Sequence, residues 1–167
     1  MLPNLRRLCC IALLAASSSV FAASALTIVG KVAHPLQLDA IAVRGYPASQ
    51  VVTLTLPGRA AGDKPSVVRG VRLKAFLDQA RLVVSDHNAA KKTVVIATAR
   101  DGYAAVFSWS ELYNATAGDS VLVLFERDDK ALPDGEGPLA LISGADTNTG
   151  PRHVKWLEKI EVRQIVD

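Results

Sequence analysis

The stretch Gly150-Pro151-Arg152-His153-Val154-Lys155-Trp156-Leu157-Glu158-Lys159-Ile160-Glu161-Val162 is the most informative part of the 167-residue chain. Gly150-Pro151 marks a bend, and Ile160, Val162 and Ile165 suit a closing strand within the span from Arg152 to Val166. Between bend and strand, Arg152, His153 and Lys155 gather three cationic or potentially cationic side chains beside the indole N–H of Trp156. Such a group is suited to gripping an anion. The same spacing also describes a surface turn whose Trp156 fills the edge of the core, and on spacing alone that turn is the expected reading.

Upstream of this stretch, strand signals dominate. Lys92 to Ala99 is rich in β-branched residues, and Tyr103 to Phe107 is its expected hairpin partner across Asp101-Gly102. Ser108 and Ser110 open a short helix through Glu111-Leu112-Tyr113, and Ser120 to Phe125 reads as a central strand. Asp128-Asp129 marks a turn, Pro133 to Pro138 a loop, and Leu139 to Ile142 another strand. Toward the N-terminus, Leu26 to Val32 ends at His34-Pro35, and Asp39 is placed to cap a turn of helix over Ala40 to Arg44. Gln50 to Leu56 alternates with a two-residue period and stops at Pro57-Gly58. Val67 and Val68 lead into the best helical segment, where Leu73, Phe76, Leu77 and Ala80 form one apolar stripe. Many short strands with two or three brief helices predict an α+β fold of mixed, mostly antiparallel sheets.

Composition bounds the remaining possibilities. Half of the residues are hydrophobic and 21% are charged, which excludes a disordered tail and suits one domain, expected over 23–167. Arg6 and Arg7 precede the apolar run Leu8 to Ala16, three serines and Val20-Phe21-Ala22, the pattern of a secretory signal peptide over 1–22. Ala23-Ser24-Ala25 offers a second cleavage site, and the paired arginines also permit twin-arginine export. The run is too short to span a membrane stably, so no lasting insertion is expected after cleavage. Of the 19 basic residues those two arginines leave with the leader, and the mature chain has 17 basic against 16 acidic side chains. A surface so near neutrality gives no basis for nucleic-acid binding. Both cysteines, Cys9 and Cys10, also fall in the leader, so the exported chain has no thiol for a disulfide or a metal.

Known catalytic patterns are scarce. There is no glycine-rich phosphate loop, and Phe107-Ser108-Trp109-Ser110 lacks the glycines of a nucleophile elbow. His34, His87 and His153 are far apart in sequence and lack the spacing of a zinc helix. His34 and His87 read as solvated loop residues. Asp128-Asp129 and Asp134 with Glu136 read as turn residues, since polar loops offer no means of raising a carboxyl pKa.

Three segments together resemble the molybdopterin-binding domain of the sulfite oxidase family. They are Gly70-Val71-Arg72-Leu73 with Phe76-Leu77; Arg100-Asp101-Gly102-Tyr103 through Val106-Phe107-Ser108 to Glu111-Leu112; and Gly137-Pro138-Leu139 together with Gly150 to Val162. The Arg152-His153-Val154-Lys155-Trp156-Leu157 string is the most specific part. The resemblance covers Leu26 to Val162 and is nearer to compact secreted members than to multidomain enzymes. It implies a pterin site with His153, Val154 and Lys155 at cofactor-contacting positions, and oxygen-atom or electron transfer at molybdenum.

Two departures from that pattern are visible. The family's metal-ligating cysteine would fall near Leu56 to Gly62, where Pro57-Gly58-Arg59-Ala60-Ala61 stands. A histidine and an arginine that help to bind the pterin correspond to a segment carrying Glu136 and Ala140. A carboxylate in place of a cation repels a phosphate by ~1 kcal/mol at 4 Å in water, and by more where water is excluded.

The resulting expectation is a periplasmic or secreted protein whose cleft binds a small anionic ligand or a protein partner through Arg152, His153, Val154, Lys155, Asp101 and Tyr103. The alternative is a molybdopterin-dependent oxidoreductase with an oxygen ligand such as Asp101 or Tyr103; Arg59 and Arg100 are further candidate anion contacts. An interaction role through Trp109 and Tyr113 is the third reading. Export itself is testable: replacing Arg6 and Arg7 by lysines abolishes export if the route is twin-arginine, and the exported form begins at Ala23 by N-terminal mass analysis.

Overall fold

The computed structural model describes residues 26–58, 62–83 and 86–165. The expected leader with its cleavage sites, and Arg59, Ala60 and Ala61, lie outside those residues. Local signals work as expected at several helix starts. The Asp39 carboxylate accepts a hydrogen bond from the Ala42 N–H at 2.8 Å and starts α1 (Ala40–Arg44). Ser108 accepts from the Glu111 N–H at 3.0 Å and starts α4 (Trp109–Tyr113). In α2 (Leu73–Ala80), Leu73, Phe76, Leu77 and Ala80 are all fully buried, as their spacing requires.

The strands are β1 (Leu26–Gly30), β2 (Leu36–Leu38), β3 (Val51–Leu56), β4 (Ser66–Arg72), β5 (Thr93–Ala99), β6 (Ala104–Ser108), β7 (Val121–Arg127), β8 (Lys130–Ala131), β9 (Ala140–Ser143) and β10 (Leu157–Gln164). One sheet has the order β2-β1-β10-β5-β6 and is antiparallel except for the β1–β10 pair, which runs parallel. The second has the order β3-β4-β7-β8, with β9 also paired to β7, and is antiparallel throughout. This is the expected α+β class. The main core lies between inward faces of both sheets and includes α2 and Leu112 of α4.

Strand β7 is buried on both faces, which explains its unbroken apolar run. Val121, Val123 and Phe125 point into the main core, while Leu122 and Leu124 join Val68, Leu56, Ala140 and Ile142 in a second cluster on the other side of the sheet. That second cluster lies beneath the cleft described below. Gly30 has φ +95°, and a Cβ there would lie 2.1 Å from the Val162 carbonyl oxygen, so the tight β1–β10 approach requires glycine.

Three local expectations need correction. The segment before α2 is a full seven-residue strand, β4, because it is sandwiched between β3 and β7; Arg69 and Gly70 masked its strand character. His87 opens a helix, α3 (His87–Lys91), since Asp86 accepts from the N–H groups of Asn88 and Ala89. The closing strand begins only at Leu157, and Ile165 lies beyond it with 57% of its surface exposed. Ala140 of β9 points into the second cluster. Replacing Leu77 by Ala is expected to cost about 2–5 kcal/mol in urea unfolding, the usual cost of a cavity in a close-packed core.

Candidate functional site

Past the turn at Thr149–Arg152, the chain is extended at His153 and forms an isolated bridge at Val154. The Val154 N–H donates to the Leu141 carbonyl and the Leu141 N–H to the Val154 carbonyl, both at 2.8 Å. Side chains of an extended segment alternate in direction, so His153 and Lys155 face one side and Val154 the other, while Arg152 ends the preceding single turn of helix and points to Asp146 and Glu111. The four consecutive candidates are thereby split into two pairs.

His153 and Lys155 line a cleft of about 480 Å³. Its walls are the end of β3 with Pro57 and Gly58 on one side and the loop from Gly144 to Pro151 on the other. Thr55, Thr147, Asn148 and Thr149 add hydroxyl and amide groups. A second hollow of about 340 Å³ continues from it, sharing Leu56, Pro57, Gly58, Thr149 and His153, and is lined further by Lys64, Ser66, Arg127 and Glu136. His153 thus sits where the two lobes meet. Its side chain is only 3% exposed, so the expectation of a surface turn is overturned here.

In the second lobe a charge cluster is assembled from distant parts of the chain. Arg127 Nη2 lies 3.0 and 3.1 Å from the two carboxylate oxygens of Glu136, and Arg127 Nη1 donates to Ser66 Oγ at 2.6 Å. His153 Nε2 is 3.6 Å from Glu136 Oε2. Burial pushes the Glu136 carboxyl upward, but His153 and Arg127 outweigh it and bring the pKa down to about 2. Glu136 is therefore ionised and paired, which removes it as a general acid or base partner for Asp134.

Arg152 does not reach the cleft. It donates 2.7 Å from Nε to Asp146 and 2.5 Å from Nη1 to Glu111, makes a second bond to Asp146 and one to Ser143, and covers the Phe107 ring at 4.7 Å. Hydrogen bonds and charge from Asp146, then from Glu111, outweigh partial burial and hold its pKa above the ordinary value. Val154 is fully buried with both backbone groups bonded, and neither it nor Arg152 lines the cleft.

Asp101 and Tyr103 lie outside the main cleft. They sit at the β5–β6 hairpin tip, where Asp101 accepts from the Tyr103 N–H at 3.0 Å and Tyr103 donates its hydroxyl to the Pro151 carbonyl at 2.7 Å. Tyr103 braces the cleft wall from outside. Asp101 lines a separate hollow of about 220 Å³ with Arg100, Gly135, Lys155 and Trp156. Arg100 is paired with Glu158 at 2.8 Å and stacked 4.3 Å above Trp156, away from the main cleft. Trp109 and Tyr113 stack on each other at 5.4 Å, and Tyr113 donates to Asp78 at 2.8 Å.

Lys64, Arg127 and the Thr147–Thr149 loop had no sequence signal, because nothing in their neighbourhoods indicates that distant segments converge on them. Among the described residues no group of three His, Cys, Asp or Glu side chains is placed to hold a metal ion. None of their helices is long and apolar enough to cross a membrane.

Residues 20–166 match the family model described as the oxidoreductase molybdopterin binding domain. Among solved structures, the chain is similar to the sulfane dehydrogenase SoxCD from Paracoccus pantotrophus, at 18% identity and a TM-score of 0.62. The match covers 83% of this chain and 37% of that one, and at that identity it speaks for the fold alone. No protein of curated function matches the chain in sequence.

Arg152→Met is expected to lose about 1–3 kcal/mol by leaving Asp146 and Glu111 without their charged donor. Glu136→Gln is expected to lose stability at pH 7. Because the folded-state pKa is depressed, from 4.5 to about 2, that deficit should shrink as pH falls from 4.5 through 2. Urea unfolding of both proteins across that window measures it.

Proposed function

The chain belongs to the oxidoreductase molybdopterin binding domain family, and on that premise we propose that it is an exported member that binds a small anionic ligand in the cleft without loading molybdenum as the family's enzymes do. The observation that carries this reading is the chemistry of the cleft rim. Where the resemblance calls for a thiolate, the rim is built of Leu56, Pro57 and Gly58, and the only cysteines of the whole sequence are Cys9 and Cys10. The sulfite oxidase resemblance implies a cysteine thiolate on the metal, and the residues present do not supply that ligand.

The distribution of charge supports the same reading. A pterin phosphate in the second lobe would have to compete with the Glu136 carboxylate, which already holds Arg127 and lies beside His153. The first lobe, in contrast, offers Lys155 with hydroxyl and amide groups from Thr55, Thr147, Asn148 and Thr149. Among the described residues Lys155 is in no ion pair, so its ammonium is available to a ligand. A periplasmic location follows from the leader and suits a chain that carries no thiol once the leader is removed.

Family membership favours one competing reading, an oxidoreductase whose molybdenum is held through the pterin and an oxygen ligand. Native mass spectrometry with molybdenum analysis of protein purified from its own host separates the two. The expected result is no molybdenum and either an empty cleft or a small added mass; stoichiometric molybdenum with pterin overturns the proposal. Where an anion is found, Lys155→Glu is expected to weaken its binding at least about tenfold while changing stability by less than about 0.5 kcal/mol.

A further inference from the structure

The second lobe holds an arrangement that ligand binding at Lys155 does not require. Arg127, Glu136 and His153 come from the end of β7, from the loop between β8 and β9, and from the segment before β10. Their side chains are only 16%, 12% and 3% exposed, although they line an open cleft. Ion pairs formed merely for solubility lie at the surface, where solvent screens them. This one is at the floor of a hollow.

Its geometry is that of a receptor with its anion. One Arg127 nitrogen spans both Glu136 oxygens at 3.0 and 3.1 Å, a second is fixed by Ser66 Oγ at 2.6 Å, and the His153 imidazole approaches from the other side at 3.6 Å. Arg127 Nε is buried and has no acceptor among the described residues. The cradle therefore offers one more N–H donor than the Glu136 carboxylate satisfies. Glu136 is delivered by a loop, anchored by its N–H to the Pro133 carbonyl and by its carbonyl to the Trp156 N–H, each at 2.8 Å. Its carboxylate is carried by a loop and not by a strand of either sheet.

We propose that Glu136 is a tethered ligand: its carboxylate occupies a carboxylate or oxyanion site formed by Arg127, Ser66 and His153, and so confines external anions to the Lys155 lobe. This deepens the reading of the cleft as an anion site and rests on it. The class of ligand follows from the occupant. A planar monoanion with two oxygens, such as formate or acetate, reproduces the Glu136 contacts, and a larger oxyanion such as sulfate can also engage the remaining N–H.

The test is anion rescue of Glu136→Ala, which removes the occupant and leaves the cations buried. In chloride the variant is expected to melt well below wild type. Formate or acetate at the same ionic strength should raise its Tm by about 3 °C or more, while wild type moves by less than about 1 °C. Glu136→Gln, which keeps the space filled, should show no rescue. A folded Glu136→Ala that responds equally to chloride and formate overturns the proposal, as does an equal response from wild type. If Glu136→Ala does not fold in chloride, refolding in formate alone supports the proposal and failure in both salts overturns it. Rescue should persist in Glu136→Ala/Lys155→Ala; its loss there would assign the anion to the other lobe and overturn the tethered-ligand reading. Molybdenum analysis of the native protein is unaffected by any of these results, so the two proposals fail separately.

Discussion

The two reciprocal hydrogen bonds between Val154 and Leu141 decide which side chains of the closing segment meet the cleft. They lock Val154 into an extended bridge against β9, and β9 is itself paired to β7, which is buried on both faces. Rotation of the segment is then blocked by the core, because Val154 cannot leave it without opening a cavity. Direction alternates from that anchor. His153 and Lys155 face the open side, and Arg152 turns back to Asp146 and Glu111.

Arg152 supports the cleft without entering it. By joining Asp146 of the 144–151 loop to Glu111 of α4 and lying over Phe107 of β6, it ties one wall of the cleft to the first sheet. Tyr103 adds a second tie through the Pro151 carbonyl. A loop rich in threonine, asparagine and glycine would otherwise lose substantial entropy on being ordered around a ligand. Here much of that cost is met on folding, which leaves a preformed surface with Lys155 at its edge.

Charge in and around the cleft is largely neutralised internally. Asp146 is satisfied by Arg152, Glu136 by Arg127 and His153, and Glu158 by Arg100. What a ligand meets is therefore not the sum of the basic residues nearby but the cations left over from these pairs. The chain keeps the family scaffold, and a fold by itself does not settle chemistry. The chain carries sulfur only at Met1, Cys9 and Cys10, which makes oxygen and nitrogen the donor atoms available to any ligand in the described domain.

Most elements governed by neighbours in sequence were legible before any coordinates, with α3 and its Asp86 cap the exception. The Asp39 and Ser108 caps, the apolar stripe of α2, the hairpin across Asp101-Gly102 and the turn at Asp128-Asp129 depend on contacts within a few residues. The family likeness was legible too, because the Arg152 to Leu157 string is contiguous. The central place of β4, the parallel β1–β10 pair and the Arg127–Glu136–His153 cluster were not, since each joins segments whose separation in the chain leaves no periodic trace. Sequence alone determined most of the local elements and that cationic groups crowd the closing segment. Only the tertiary structure decided which of those cations are already paired with internal carboxylates and which still face the cleft, because that depends on side-chain direction and on carboxylates brought in from elsewhere in the chain.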